Sequence, residues 1–511
     1  MGSGLWLERR LALTGLPRDQ ESYMARRRII IVGGGFGGAS AAVQLARKIA
    51  EPLAITIVEP SHQIGPGLAY STDDPTFRLN AISGPHSIDV ADPGHFTRWC
   101  AAKGLAQSDP EARIANGELF VRRRDFRDYL VETVRAHLSQ ENGSTITHVR
   151  DRASDISVDE QGVAVSLEGG RRIAADMAFL AVGNPPLRQP AWASGAAAGH
   201  PGLFAEPLRT SFDSVERDAK VLVVGAGLTA LDIVASLLAR GHRGSITAIS
   251  RRGLRPEPQA PRVLAPPADP PQPPVIPLDL LEGELPAYAT GEPLSALDLF
   301  RGMRRHAAET DATELGWQAA FDAVTLPLSR IWPNLPLPEK QRALRHLRAY
   351  YDAHRFRTPP MTDAMVRARE ATGQVIFRKA SIERLDVDDQ RRLVAWLQTP
   401  DTGHTREAFD AVINCTGFDN GRALQGNSLL ARLQRRGMIA PHPTGLGIEV
   451  DMQNRIITAS GESIAQIRAI GPMTAGVFGD PLGVFFISAQ VHRLIPGLAE
   501  QFGLTLTSRN C

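Results

Sequence analysis

The chain has 511 residues, 43% hydrophobic and 22% charged. That length predicts about three domain-sized units, with a core large enough to need neither disulfides nor metals. With 57 basic against 55 acidic residues the net charge is +2, which argues against a nucleic-acid binder or a basic membrane-surface protein. Cys100, Cys415 and Cys511 are far apart. They form no C-x-x-C pair and no zinc spacing, so no redox dithiol, structural metal or secreted disulfide framework is expected, and a cytoplasmic setting is.

Residues 1–25 carry one short apolar run and no cleavage signature, and are expected to be a flexible extension. Arg28-Ile29-Ile30-Ile31-Val32 then reads as a buried parallel strand. A glycine turn follows, Gly33-Gly34-Gly35-Phe36-Gly37-Gly38, then a helical stretch and a second strand, Ala54 to Val58, ending at Glu59. This is β-turn-α-β with G-x-G-x-x-G in the turn. Gly33 makes the tight turn, Gly35 lets backbone approach a pyrophosphate, and Gly38 lets helix pack on strand. The helix start offers free N–H groups to phosphate, and Glu59 can accept both ribose hydroxyl hydrogens.

The pattern recurs at Lys220 to Val224, with Gly225-Ala226-Gly227-Leu228-Thr229-Ala230 as the turn. Val221 to Ala239 is apolar enough to suggest a membrane span, but Gly225, Gly227 and Asp232 split it into strand, turn and helix. No span is expected. The next strand ends in Ser250-Arg251-Arg252. Arginine there would pair with a 2′-phosphate that an acid would repel, which favours NADPH over NADH. Two sites mean two dinucleotides, and a hydride carrier in the second makes FAD the expected occupant of the first.

Two segments bracket the second fingerprint: Asp176 through Gly183, and Asp410 through Thr416, Gly417 and Phe418. Each is an acid, an apolar strand and a small-residue turn, as expected where the chain leaves and re-enters the first domain. Residues 61–85 read as a Gly/Pro/Asp loop, 118–138 as a helix and 146–180 as short alternating strands. The prolines concentrate in 256–277 as an extended stretch. Residues 295–355 read as helical, their basic run a solvated face. The predicted fold class is α/β, with two Rossmann-like, glutathione-reductase-type three-layer dinucleotide-binding domains, the second inserted in the first. The predicted division is an FAD-binding domain from 26–190 and 406–511, and an NAD(P)H-binding domain over 191–405 with a Pro-rich and helical insertion at 256–370.

These residues resemble a bacterial FAD/NAD(P)-binding flavoprotein family. The likeness rests on Gly65-Pro66-Gly67-Leu68-Ala69-Tyr70-Ser71, Arg78-Leu79-Asn80, Gly225 to Asp232, Ser250 to Leu254 and His354 to Pro360. It is distantly similar to the N-hydroxylating monooxygenases that act on amines such as ornithine and lysine. Their D-x3-(L/F)-A-T-G-Y motif is matched loosely by Asp410 to Phe418. The absence of a cysteine pair sets the chain apart from disulfide reductases, and the 202–208 stretch lacks the F-x-G-x-x-x-H of Baeyer–Villiger and flavin-containing enzymes. The resemblance implies that NADPH reduces FAD, that O2 adds at flavin C4a, and that a small nucleophilic substrate is oxygenated. A flavoprotein reductase without oxygenation and a non-catalytic FAD-binding sensor stay open. It further implies that Asn80 lies near the flavin ring and that Gly471-Pro472 opens a segment closing over FAD. No catalytic residue is assigned: His86 and Cys415 are read as structural.

Overall fold

The computed structural model describes residues 26–140, 142–260, 283–479 and 482–507. The 1–25 extension and proline-rich residues 261–277 lie outside the described residues. The first unit begins with β1 (Arg27–Val32), α1 (Phe36–Lys48), β2 (Leu53–Val58), α2 (His95–Ala102), α3 (Arg123–Ala136) and β3 (Thr145–Val149). An antiparallel meander follows, β4 (Ala153–Asp159), β5 (Gly162–Leu167) and β6 (Arg172–Ala175), then β7 (Met177–Leu180).

The second unit contains β8 (Leu203–Phe204), β9 (Val221–Val224), α4 (Leu228–Ala239) and β10 (Ile246–Ser250). Helices α5 (Ala296–Asp311), α6 (Gln318–Thr325), α7 (Leu337–His346) and α8 (Arg348–Arg355) come next. They gather around their own small core, which includes Val324, Ile331 and Trp332. Then come α9 (Pro360–Ala371), β11 (Val375–Lys379), a second meander of β12 (Ser381–Val387), β13 (Leu393–Thr399) and β14 (Gly403–Phe409), and β15 (Ala411–Asn414). The chain returns to the first unit through α10 (Ser428–Arg435), β16 (Arg455–Ile457), β17 (Ser463–Ala469) and α11 (Val484–Phe502).

The first sheet has the order β16-β17-β7-β1-β2-β3, parallel except for the β16 edge. The second is parallel throughout, β11-β10-β9-β15-β8. The unbroken apolar run in β1 reflects burial on both faces. Ile29 and Ile31 pack with Ala42 and Leu45 of α1 and Leu498 of α11. Ile30 and Val32 face Val163 and Val165 of the meander and Leu430 of α10. Helix, sheet and meander form the three layers expected.

The two bracketing acids have matching jobs. Asp176 accepts the Arg28 N–H at 2.7 Å, and Asp410 accepts the Lys220 N–H at 2.6 Å. Each carboxylate thus ties the start of its own strand, β7 or β15, to the start of the parallel fingerprint strand, β1 or β9. The first glycines match too. A Cβ on Gly33 (φ +105°) would lie 2.3 Å from the Ala181 carbonyl oxygen, and one on Gly225 (φ +117°) 2.1 Å from that of Cys415. The small-residue turns therefore exist so that two backbones can touch.

Three boundaries differ from the sequence reading. The predicted return at 406 falls too early, because β15 is hydrogen-bonded between β9 and β8 and belongs to the second sheet. The predicted insertion over 256–370 runs too far, because α9 packs on α4 and connects β10 to its parallel neighbour β11. The predicted helix at 118–138 starts later, since Leu119 and Val121 bond back to Ser83 and Leu79 before α3 begins. Among the described residues, no helix is long and apolar enough to cross a membrane, and 221–239 folds as strand, turn and helix.

Candidate functional site

One cavity of about 2840 Å³ runs between the two units. Gly33, Gly35, Phe36, Gly37 and Glu59 line it from the first fingerprint, and Gly225, Gly227, Leu228, Thr229 and Arg251 from the second. Asn80, Thr416, Gly417 and Gly471 line it as well. Gly38 does not: its Cβ position lies 2.0 Å from the Gly33 carbonyl oxygen, so it is the packing glycine of its turn.

Both helix starts suit phosphate. Gly35 caps α1 and Gly227 caps α4, and neither helix has a side-chain cap bonded to its first N–H groups. Those donors and the positive end of the helix dipole are left for an anion. The space in front is open. A Cβ on Gly227 would meet nothing within 4 Å, and one on Gly35 only Gly67 Cα at 3.6 Å. Glu59 is aimed by two backbone donors, Gly34 N–H at 2.8 Å and Ser61 N–H at 2.9 Å. Gly34 must itself lack a side chain, since its Cβ would lie 2.7 Å from that of Glu59. These features fit FAD in the first cradle and a second dinucleotide opposite.

Arg251 and Arg252 have different surroundings. Arg252 donates to the Arg345 carbonyl at 3.2 Å and lies over the Tyr350 ring. Arg251, like Arg252, is exposed and lines the cavity, but it has no side-chain hydrogen bond or ring contact among the described residues.

The Arg78-Leu79-Asn80 signature has a physical basis. Arg78 is buried and grips Asp109 through two bonds, of 2.8 and 3.1 Å, plus the Phe120 carbonyl. Leu79 is core. Asn80 then follows at the cavity wall, and its carbonyl accepts from Gln259 Nε2 at 3.0 Å. Gln259 also donates to the Thr358 carbonyl, joining the loop to the second unit. Neither Arg78 nor Gln259 was singled out by chemistry from sequence. Arg78 had a signal, its place in the signature; Gln259 had none.

His86 and Cys415 also line the cavity. Burial lowers His86 to about 4, and its Nδ1 is hydrogen-bonded to the Ile82 carbonyl at 2.9 Å, so the ring is neutral near pH 7. Burial pushes the Cys415 thiol far up, aided by Asp232, so the reactive thiolate is suppressed. Gly471 opens its turn at φ +77° and donates to Gln490 Oε1 at 2.7 Å. Thr416 Oγ1 donates to Asn414 Oδ1 at 2.7 Å.

The two units are joined by charge. Arg123, at the start of α3, meets Asp232 of α4 at 2.5 Å, both nearly buried. Asp74 of the long loop accepts from Ser236 Oγ at 2.5 Å and Arg240 Nη2 at 3.2 Å on the same helix. The insertion closes the far side: Trp332 Nε1 donates to the Gly476 carbonyl at 2.8 Å, and Arg355 donates to the Leu482 carbonyl at 3.3 Å.

Residues 30–185 match a family model described as FAD-NAD(P)-binding, and residues 112–262 match one described as L-lysine 6-monooxygenase/L-ornithine 5-monooxygenase. No curated protein matches the chain by sequence. Among solved structures, the fold is similar to the ornithine N-hydroxylase of Kutzneria sp. 744, with reduced FAD, NADP+ and L-ornithine (TM-score 0.59, 16% identity, 93% of this chain and 100% of that one). It is similar to L-lysine 6-monooxygenase from Pseudomonas syringae (0.58, 15%, 92% and 99%). The FAD-bound cadaverine monooxygenase of Erwinia amylovora is a third (0.53, 14%, 92% and 94%).

Proposed function

We propose that this chain is an FAD-dependent, NADPH-using monooxygenase that oxygenates a small nucleophilic substrate with O2 in a cytoplasmic setting. The observation that carries the reading is that both fingerprints open onto one cavity, whose wall is completed by the insertion. The likeness to ornithine, lysine and cadaverine hydroxylases makes an amine nitrogen the first nucleophile to test.

The Gly33–Gly38 turn and Glu59 would hold FAD; the Gly225–Thr229 turn and Arg251 would hold NADPH. Thr416, Gly417 and Gly471 would approach the cofactors through backbone. Bound FAD supplies the hydride acceptance and oxygen activation that no side chain can supply. The chain's own work is to place two dinucleotides and a substrate together and to exclude water. Phe485, Phe486, Leu326 and Tyr70 give the cavity apolar walls. Asn80 is fixed by Arg78 on one side and Gln259 on the other.

NADPH oxidation, coupled to oxygen and peroxide detection, tests the reading against amines, thioethers and ketones. One class should raise turnover and divert reducing equivalents from peroxide into product. Recovery of all NADPH as peroxide with every compound would leave a reductase or oxidase instead.

Arg251→Ala should raise the KM for NADPH about tenfold or more and leave NADH nearly unchanged, since a charged hydrogen bond contributes roughly 1.5–3 kcal/mol. Steady-state kinetics with both nucleotides decides it. Equal effects would remove the 2′-phosphate role.

A further inference from the structure

Glu118 lines the cavity but belongs to neither dinucleotide cradle. It sits in a tight chain reversal. Residues Arg113 and Leu119 form an antiparallel bridge, Ile114 N–H donates to the Glu118 carbonyl at 3.0 Å, and Glu118 N–H donates to Asn116 Oδ1 at 3.0 Å. The neighbouring Leu119 carbonyl accepts the Ser83 N–H at 3.0 Å. The backbone of Glu118 is thus fixed beside the loop that presents Asn80, Ile82 and His86 to the same cavity.

Its carboxylate is left unmatched. Oε2 is enclosed and has no hydrogen-bond partner, and Glu118 makes no ion pair among the described residues. Other buried acids are treated differently: Asp109 has Arg78 and Arg122, and Asp232 has Arg123. Burial alone raises Glu118, to about 7, with no cation opposing it. An enclosed carboxylate oxygen without a partner is unfavourable. Such groups are characteristic of binding sites, where a ligand completes the pair.

The chemistry narrows the partner. Glu118 stands apart from both glycine-turn cradles, and the acid placed for a cofactor ribose is Glu59. A metal ion needs several ligands, and no group of three or more His, Cys, Asp and Glu among the described residues could hold one. An organic cation remains. We infer that Glu118 is a recognition site for a positively charged group of the substrate, a primary ammonium, on the wall beside Asn80 and Ile82. The inference rests on the reading that this cavity takes a substrate beside two cofactors. The role is one of binding and orientation, and nothing in it requires that the recognised nitrogen be the one oxygenated.

The test uses the FAD-loaded protein with NADP+, and thermal shift in place of turnover. The probes are cadaverine and L-ornithine, with the diol of the same carbon chain as cadaverine as the uncharged match. Cadaverine or L-ornithine should raise the Tm, and the diol should not. Glu118→Gln should weaken the cationic probe at least tenfold while the NADP+ shift stays as in the parent. Glu118→Asp, which keeps the charge, should retain part of the response and guards against a folding defect in the amide variant. Equal binding of the cationic probe by Glu118→Gln and parent would overturn the inference. So would equal binding of diol and diamine by the parent, or no response of the parent to either cation. Charge-dependent binding without any oxygenated product would sink the monooxygenase reading and leave Glu118 standing. Oxygenation of an uncharged substrate, unaffected by Glu118→Gln, would do the reverse.

Discussion

Gly35→Val is expected to give a folded protein that no longer retains FAD, whereas Gly33→Ala is expected to fail at folding. The two glycines are two residues apart and serve different ends. At Gly35 the backbone is extended, at φ −70° and ψ −170°, which valine adopts readily. An added Cβ there meets only Gly67 Cα, at 3.6 Å. Valine would instead fill the space before the first turn of α1, where a pyrophosphate must come against the free N–H groups. Flavin affinity should fall by on the order of a hundredfold or more, about 3 kcal/mol, with little change in circular dichroism. At Gly33 the backbone sits at φ +105°, and a Cβ would lie 2.3 Å from the Ala181 carbonyl oxygen. Backbone must move, and β1 and β7 separate at the centre of the first sheet. The destabilisation should exceed about 4 kcal/mol, the range reserved for a named structural fault. Soluble yield, dichroism and the ratio of flavin to protein distinguish the outcomes. A yellow Gly35→Val protein with parental flavin content would remove the first cradle from the cofactor site.

Arg123→Met should destabilise the protein by about 3–5 kcal/mol near neutral pH, and by less under mild acid. Arg123 and Asp232 are a nearly buried pair between the units, and breaking one leaves a charge without its partner. The pH dependence has a definite sign. Burial raises Asp232 from its ordinary 3.8 to about 6 even with Arg123 beside it. Between those values the folded chain holds the proton more tightly than the unfolded chain, so stability falls as pH rises through that window. Arg123 is the charge that opposes this rise. Without it the folded value climbs further, and the loss of stability continues above pH 6. Denaturant unfolding of parent and variant at pH 5 and pH 8 should show the larger gap at pH 8. Adding Asp232→Asn to Arg123→Met should restore much of the lost stability. A gap independent of pH would mean that the pair acts by shape and not by charge.

Both cradles were legible from sequence because each is local. Strand, glycine turn, helix and following strand lie within about thirty residues, and burial on both faces writes the strands as unbroken apolar runs. The acids at 176 and 410 were legible as a repeated pattern, but their bonds to Arg28 and Lys220 span 148 and 190 residues. No periodicity encodes a contact of that length. The position of β15 was misplaced for the same reason: strand order depends on which edges are free. Gln259, Arg123 and Glu118 escaped chemical notice because each acts through a partner, or the lack of one, brought together by the tertiary fold. Arg251 was legible as a type of residue at the end of a strand. Only the structure separates it from Arg252, which is already engaged.

The most direct test is anaerobic mixing of FAD-loaded protein with NADPH, followed by the visible absorbance of the flavin. If the two cradles serve one cavity, as their shared lining indicates, NADPH should bleach the flavin fully, and Arg251→Ala should need a higher NADPH concentration to do so. A flavin that stays oxidised under saturating NADPH and NADH, yet is reduced by dithionite, would contradict hydride transfer between the two sites.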